Sequence, residues 1–243
     1  MKKIFAILTI LVVSAFTGTA FADTSFDYAD ATGYDNGGVY AQDATWNRLG
    51  TSWTGEPSAA AVANNNDLDD GVLWSTDGGS TWGNGLIFVG DTVKFQFILS
   101  KVEWGRHVAD YLKVWIDWNE DLAFADSEVI LAEAYSFTPN TDPDGSPSQF
   151  LNTDRTPKIV ATYYYEQTFD NISTGDYWLR ARVVCNADVN SSIANLNPTG
   201  SYYQGEIEDW KLTVNQRVPE PTAMFLLGLG LVGLAGMRRK IQS

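Results

Sequence analysis

The densest group of side chains that could bind a metal is the short segment from Asp117 to Glu128. Asp117, Asn119 and Asp121 carry oxygens at alternate positions, and Glu128 stands where a calcium loop has its last acidic ligand. Calcium takes about six to eight hard oxygen ligands, and alternate side chains of a tight loop converge on one point. Ala123 would add a backbone carbonyl. The spacing therefore predicts a calcium ion in this loop.

One position departs from the calcium loops that join two helices. Leu122 stands where those loops have their turn glycine, and the flanking sequence is typical of strands. A true EF-hand is therefore not expected. The alternative interpretation is an acidic β-turn whose charges are simply solvated.

A second group of acids lies in Gly205–Trp210, which reads GEIEDW. Side chains alternate between the two faces of a strand, so Glu206 and Glu208 share a face and Asp209 lies on the other. If this strand neighbours the Asp117 loop, Glu206 or Glu208 can complete the calcium site. The other interpretation is that these acids discourage pairing at a strand edge.

Two residue types that many enzymes need are scarce. His107 is the only histidine, in a loop-like segment, and Cys185 is the only cysteine, at an inward position of a predicted strand. A histidine-dependent nucleophile or a histidine-ligated zinc would have to use that one residue. We expect a surface histidine, a buried inert thiol and no catalytic site. Paired acids could also serve a glycosidase, and the sequence does not separate that use from calcium binding.

The segments that must position these groups have the pattern of strands. Apolar and polar residues alternate with a period of two, and Gly, Asp, Asn and Pro fill the intervals. The predicted strands are Val93–Leu99, Tyr111–Ile116, Glu128–Ala134, Ile159–Phe169, Tyr177–Cys185 and Trp210–Val214. We therefore predict an all-β fold over residues 23–217, an antiparallel β-sandwich of jelly-roll or immunoglobulin type.

The chain contains nine tryptophans, whose flat rings could stack on sugars. Trp115 and Trp178 are out of phase with the apolar residues of their strands, so both are predicted to be exposed and available for stacking. Large aromatic residues more often cover a sheet in the core, which is the alternative.

The segment Ser75–Trp82 matches the S-x-D-x-G-x-T-W pattern of the Asp-box, which is familiar from sialidase propellers. The pattern predicts a hairpin turn in which Asp77 accepts backbone amides and Trp82 packs on the turn. Propellers repeat the box in successive blades, whereas this chain has one. It therefore indicates a turn and not a sialidase.

The N-terminus has the form of a secretory signal. A basic pair, Lys2 and Lys3, precedes an apolar stretch and the small-x-small site Ala20–Ala22. We predict a signal peptide over residues 1–22.

The C-terminus has a membrane signal. Thr222–Met237 is uncharged and ends at a basic cluster, so it predicts a transmembrane helix, although it is shorter than the usual about 20 apolar residues. Val218, Pro219, Glu220 and Pro221 precede it. Residues 218–243 thereby resemble the PEP-CTERM sorting signal of bacterial surface proteins. The resemblance implies that the tail holds the chain in the inner membrane until an exosortase processes it.

Three ordered motifs, around Asp117, Gly175 and Gly205, resemble the D-W-N-x-D, G-x-Y-x-x-R-x-R and G-E-V-E-D motifs of the GEVED domain. The resemblance covers about residues 91–214. It implies an extracellular β-sandwich of surface and adhesin-like bacterial proteins.

The chain is acidic, with 16 basic and 30 acidic residues and a net charge of −14. The negative electrostatic field of such a chain repels nucleic acid and favours divalent cations. We expect an exported, exosortase-processed, non-catalytic structural or adhesive protein that calcium stabilises, at the cell surface or outside the cell. Its expected partners are the export machinery, the inner membrane and exopolysaccharide. The alternatives are a carbohydrate-binding module and, third, a glycoside-active enzyme.

Overall fold

The computed structural model describes residues 26–34, 40–43, 47–52, 69–101, 108–137 and 158–217. The predicted signal peptide, His107 and the predicted tail with its transmembrane segment 222–237 lie outside these residues. Within them, no helix is long and apolar enough to cross a membrane.

The described residues form eleven strands and three short 3-10 turns. No described residue lies in an α-helix. The strands are β1 Asp27–Tyr28, β2 Tyr40–Asp43, β3 Asn47–Leu49, β4 Val72–Ser75, β5 Ile87–Phe88, β6 Thr92–Lys101, β7 Ala109–Ile116, β8 Val129–Ser136, β9 Lys158–Thr168, β10 Gly175–Cys185 and β11 Ser201–Asn215. All six predicted strands are confirmed. The last one begins at Ser201 rather than Trp210, so the GEIEDW segment lies inside a strand and not before it.

The strands form two sheets. The larger has the order β1-β2-β11-β10-β7-β8, with β5 also paired to β11, and the smaller combines β3, β4 and β9 around β6. Strand β9 pairs along the whole of one side of β6. Strands β3 and β4 therefore lie end to end along its other side. The pairs are antiparallel except β2–β11 and β5–β11, which are parallel. The prediction of an antiparallel sandwich is therefore wrong for these two pairs of the larger sheet.

The two sheets share one apolar core, which confirms a sandwich. The inner residues of the larger sheet are Leu112, Val114, Ile116, Leu179, Ala181, Val183, Leu212 and Val214, and those of β6 are Val93, Phe95, Phe97 and Leu99. All are buried. The period-two pattern identified the inner faces of β7, β10 and β11 correctly.

A second apolar cluster covers the outer face of the larger sheet. It contains Trp115, Phe124 and Leu196, with Tyr34 and Trp178 packed against it. The prediction that Trp115 is exposed is wrong, since its exposed fraction is 0%. Alternation separates the two faces of a strand, but it cannot show that other parts of the chain cover the outer face.

Candidate functional site

The GEIEDW segment lies in the middle of the larger sheet. In the register of β10 and β11, Glu206 is opposite Val183 and Glu208 is opposite Ala181. Those partners belong to the core between the sheets. The two carboxylates therefore point into the sandwich, where their residues are 1% and 0% exposed.

Both carboxylates bind backbone amides of the smaller sheet. The Glu206 carboxylate accepts the amide of Leu49, and Oε1 of Glu208 accepts the amide of Gly71 at 2.9 Å. Oε2 of Glu208 accepts the indole N–H of Trp210 at 3.0 Å. Leu49 ends β3 and Gly71 precedes β4, so the two acids join β11 to the point where these strands meet along β6.

The chain is tightly packed at this meeting point. A Cβ atom on Gly71 would lie 2.4 Å from the Cβ atom of Leu49, so only glycine fits there. The Asp70 carboxylate accepts the amides of Thr51 and Ser52 at 2.7 and 2.9 Å. These contacts fix the backbone amides that face the carboxylates of β11.

A third acid joins the two glutamates. Ligand oxygens of Asp69, Glu206 and Glu208 all lie within 4.8 Å of one another, and this is the group of acids that could hold a metal ion among the described residues. Within the same residues, Oε1 of Glu206 is buried and has no hydrogen-bond partner. The sequence interpretation named Glu206 and Glu208 but missed Asp69; the acidic run that ends at Asp70 was the available signal.

Burial dominates the electrostatics of this acid cluster. It raises the pKa of Glu206 well above its usual value, and the charges of Asp27, Glu208 and Asp69 raise it further. Burial also raises the pKa of Glu208 to about 7, against the hydrogen bonds from Trp210 and Gly71, which lower it. Both acids therefore require a proton or a cation beside them.

The Asp117 loop lies elsewhere. Asp117 follows β7 on the outer face of the larger sheet, where its carboxylate accepts the Tyr34 hydroxyl and, at 3.1 Å, the Leu122 amide. Strand β10 separates β7 from β11, and Glu206 and Glu208 point to the inner face. The prediction that either glutamate completes a site in the Asp117 loop is therefore wrong, because the groups lie on opposite faces of the sheet.

The remaining predicted ligands of that loop bind their own backbone. The two oxygens of Glu128 accept the amides of Trp118 and Ala125 at 3.1 and 2.8 Å. The exposed Asp121 carboxylate accepts the amide of Ala123 at 3.0 Å and a side-chain bond from Asn119 at 3.1 Å. Asp117 and Glu128 are only 1% and 5% exposed, so their charges are not simply solvated as the alternative expected. Calcium in this loop stays a prediction.

A buried ion pair ties the outer face to the start of the described chain. Asp209 binds Arg180 through two hydrogen bonds of 2.7 and 2.6 Å, and it accepts the amides of Asp30 and Ala31 at 3.0 and 2.9 Å. The neighbouring Arg182 donates to four backbone carbonyls, those of Tyr40, Asn197, Thr199 and Gly200. Burial lowers the pKa of Arg182 to about 9. The sequence interpretation assigned no role to these arginines.

The two tryptophans predicted to stack on sugars do not form a platform. Trp115 is buried, and the half-buried Trp178 meets the Tyr34 ring edge-on at 6.4 Å. A different aromatic pair forms at the Asp-box, where the ring centres of the half-buried Trp82 and the exposed Tyr164 are 5.8 Å apart. A shallow cleft of about 170 Å³ opens next to Trp82.

Two smaller predictions are confirmed. Oδ1 of Asp77 accepts the amides of Ser80 and Thr81 at 3.0 and 2.9 Å, so the Asp-box forms the expected turn. The hydrogen bond from Ser75 is the largest of the effects that lower the pKa of Asp77. Cys185 is buried, and burial raises the pKa of its thiol to about 11.

The fold and the site define a class: an all-β protein of two sheets in which Glu206 and Glu208 are buried between the sheets. Comparison with protein families makes the assignment specific, since the GEVED domain matches residues 111–213 and the PEP-CTERM protein-sorting motif matches residues 217–240. The chain is a PEP-CTERM protein with a GEVED domain. Its sorting motif makes it an exported surface protein and a substrate of an exosortase.

A search of the curated proteins found no match. Among solved structures, the chain is similar to the CARDB domain of a Pyrococcus furiosus protein in complex with di-metal ions. The identity is 11% and the TM-score 0.30, over 54% of this chain and 86% of that chain.

Proposed function

We propose that this exported chain is a non-catalytic structural or adhesive protein of the cell envelope or the extracellular matrix. The observation that supports the proposal is that the acids of the GEIEDW segment hold the fold together. Glu206 and Glu208 bind amides of the opposite sheet, and Asp209 binds Arg180 and the amides of residues 30 and 31. Ile207 packs on Ala29.

The same geometry argues against a glycoside-active enzyme. A glycosidase places two carboxyl groups on either side of a sugar in an open cleft, about 5–10 Å apart. Glu206 and Glu208 are 1% and 0% exposed and face the amides of Leu49 and Gly71. A sugar therefore has no access to them.

The proposal is tested by complementation of a strain that lacks the gene, with surface retention of the chain and adherence of the cells as the measurements. We expect the wild-type chain to restore adherence. A chain whose Pro219, Glu220 and Pro221 are replaced by alanine should fail to do so, because an exosortase would not sort it. Normal adherence without the gene, or release of sugars from the matrix by the purified chain, would contradict the proposal.

The pair of Trp82 and Tyr164 favours carbohydrate binding as a second candidate function. Tyr164 is 50% exposed beside Trp82, and the Lys94 ammonium lies 4.8 Å from the centre of the Tyr164 ring. A ring of this kind can stack on a sugar face, while the ammonium donates to hydroxyl groups.

If this surface binds sugar, Tyr164→Ala should weaken binding to extracted exopolysaccharide about 2- to 10-fold, through loss of one stacking contact. Tyr203→Ala is the matched control, since Tyr203 is 58% exposed and belongs to β11 in the other sheet. A glycan array and a pull-down with the full chain measure both variants. Equal binding by the two variants, or no binding by the wild type, rules out this surface.

A further inference from the structure

We propose that the sandwich binds a calcium ion between its two sheets, at Asp69, Glu206 and Glu208. The site differs from the Asp117 loop, which lies on the outer face of the larger sheet. It goes beyond the structural or adhesive role, because it would exist whatever the protein contacts at the cell surface.

The distances and the atoms suit calcium. The ligand oxygens lie within 4.8 Å of one another, and two ligands of one calcium ion, each at about 2.3–2.6 Å from it, are at most about 5 Å apart. All three donors are carboxylates, so neither sulfur nor imidazole is present to select zinc or copper. Magnesium demands strict octahedral geometry and gives up its waters reluctantly, so a site made only of protein carboxylates suits calcium better.

A second observation points to a ligand independently of the acids themselves. Within the described residues, Oε1 of Glu206 is buried without a hydrogen-bond partner, while its carboxylate already accepts the Leu49 amide. Buried polar atoms almost always have a partner, so an orphaned carboxylate oxygen requires an explanation. A cation held by Asp69 and Glu208 would coordinate that oxygen.

The surrounding charge has the sign that a cation requires. The three charged residues that act most strongly on Glu206 are Asp27, Glu208 and Asp69, and all are acids. Ionised carboxylates repel one another strongly in a buried site, and a divalent cation converts that repulsion into attraction.

The position gives the cation a structural effect. Glu206 and Glu208 belong to β11 of the larger sheet, whereas Asp69 leads through Gly71 into β4 of the smaller one. One ion bound to all three would therefore cross-link the sheets. Asp69 is half-buried, so the site has a solvent-facing side through which an ion can enter.

The first experiment measures thermal melts of the full chain in mild detergent, with a chelator and with calcium. Calcium at 100 times its Kd should raise the Tm by about 5–11 °C. Glu206→Gln should abolish this rise, because the neutral amide keeps an acceptor for the Leu49 amide but removes the ligand charge. Glu128→Gln tests the alternative site in the Asp117 loop: Glu128 is also a buried carboxylate that accepts two amides, and its variant should keep the rise that an ion between the sheets gives.

The second experiment uses terbium, which occupies calcium sites and emits when a nearby indole is excited. The Trp210 indole N–H lies 3.0 Å from Oε2 of Glu208, so terbium in this site should be sensitised. We expect emission from the wild type and from Glu128→Gln, displaced by calcium. Emission should be lost in Glu206→Gln and in Asp69→Asn, the latter being the variant to use if the former does not fold.

Three outcomes would overturn the proposal. The wild type could melt identically with calcium and with chelator, in which case protons alone neutralise the acids. The calcium effect could survive in Glu206→Gln and Asp69→Asn. Or it could disappear in Glu128→Gln alone, which would assign the ion to the Asp117 loop.

Discussion

Replacement of Asp209 by alanine is expected to lower the free energy of unfolding by about 3–5 kcal/mol, because it leaves a buried arginine without its counter-charge. The side chains of Arg180 and Asp209 are 1% and 0% exposed, and their closest contact is 2.6 Å. The same carboxylate also accepts the amides of Asp30 and Ala31, which would lose their acceptor. Urea denaturation of the full chain measures the change.

The matched control is Asp176→Ala. Asp176 pairs with Lys211 at 3.2 Å on the same two strands, but the side chains are 49% and 51% exposed. A solvated pair of this kind contributes about 0–1 kcal/mol, and salt screens it. Similar losses of unfolding free energy for Asp209→Ala and Asp176→Ala would show that burial does not increase the contribution of the Arg180–Asp209 pair to stability.

Gly205→Ala is expected to cost about 2–6 kcal/mol, from a strained backbone conformation and a forced displacement of neighbouring atoms. Gly205 has a φ of 134°, which residues with a side chain rarely adopt. A Cβ atom there would lie 1.9 Å from the carbonyl oxygen of Val183. That oxygen belongs to the backbone of β10, so it cannot move without disturbing the pairing with β11.

Gly200 and Gly85 separate the cost of the backbone conformation from the cost of the steric clash. Gly200 has a φ of 81° but open space around a Cβ atom, so Gly200→Ala should cost only about 1–2 kcal/mol for the left-handed conformation. Gly85 has open space and no positive φ, and Gly85→Ala should change the free energy of unfolding by no more than about 0.5 kcal/mol. Chemical denaturation should therefore rank the losses as Gly205, Gly200, Gly85. A loss at Gly205 no larger than that at Gly200 would contradict the close approach to β10.

The Asp-box illustrates what short-range sequence fixes. Asp77 and the amides it accepts lie within a few residues of each other, so the turn depends on local geometry alone. The same holds for the inner faces of β7, β10 and β11, where alternation in the sequence names the core residues directly. Local patterns therefore predicted the strands, the hairpin and the shared face of Glu206 and Glu208.

Trp115 shows the limit of that reasoning. Its phase relative to Leu112, Val114 and Ile116 is as predicted, yet it is buried because Phe124, Leu196 and Tyr34 cover the outer face. Those residues come from separate parts of the chain. Which segments fold back over a face depends on the long-range path of the chain, which no strand pattern contains.

The two groups of acids show the same difference between what local sequence determines and what the tertiary structure decides. The sequence by itself determined an all-β fold, two groups of acids and the resemblance to the GEVED domain and the PEP-CTERM motif. Only the tertiary structure decided that Glu206 and Glu208 face Asp69 and the amides of Leu49 and Gly71, and not the Asp117 loop. The physical reason is that alternation sets the direction of a side chain, whereas sheet order and sheet packing determine what it meets.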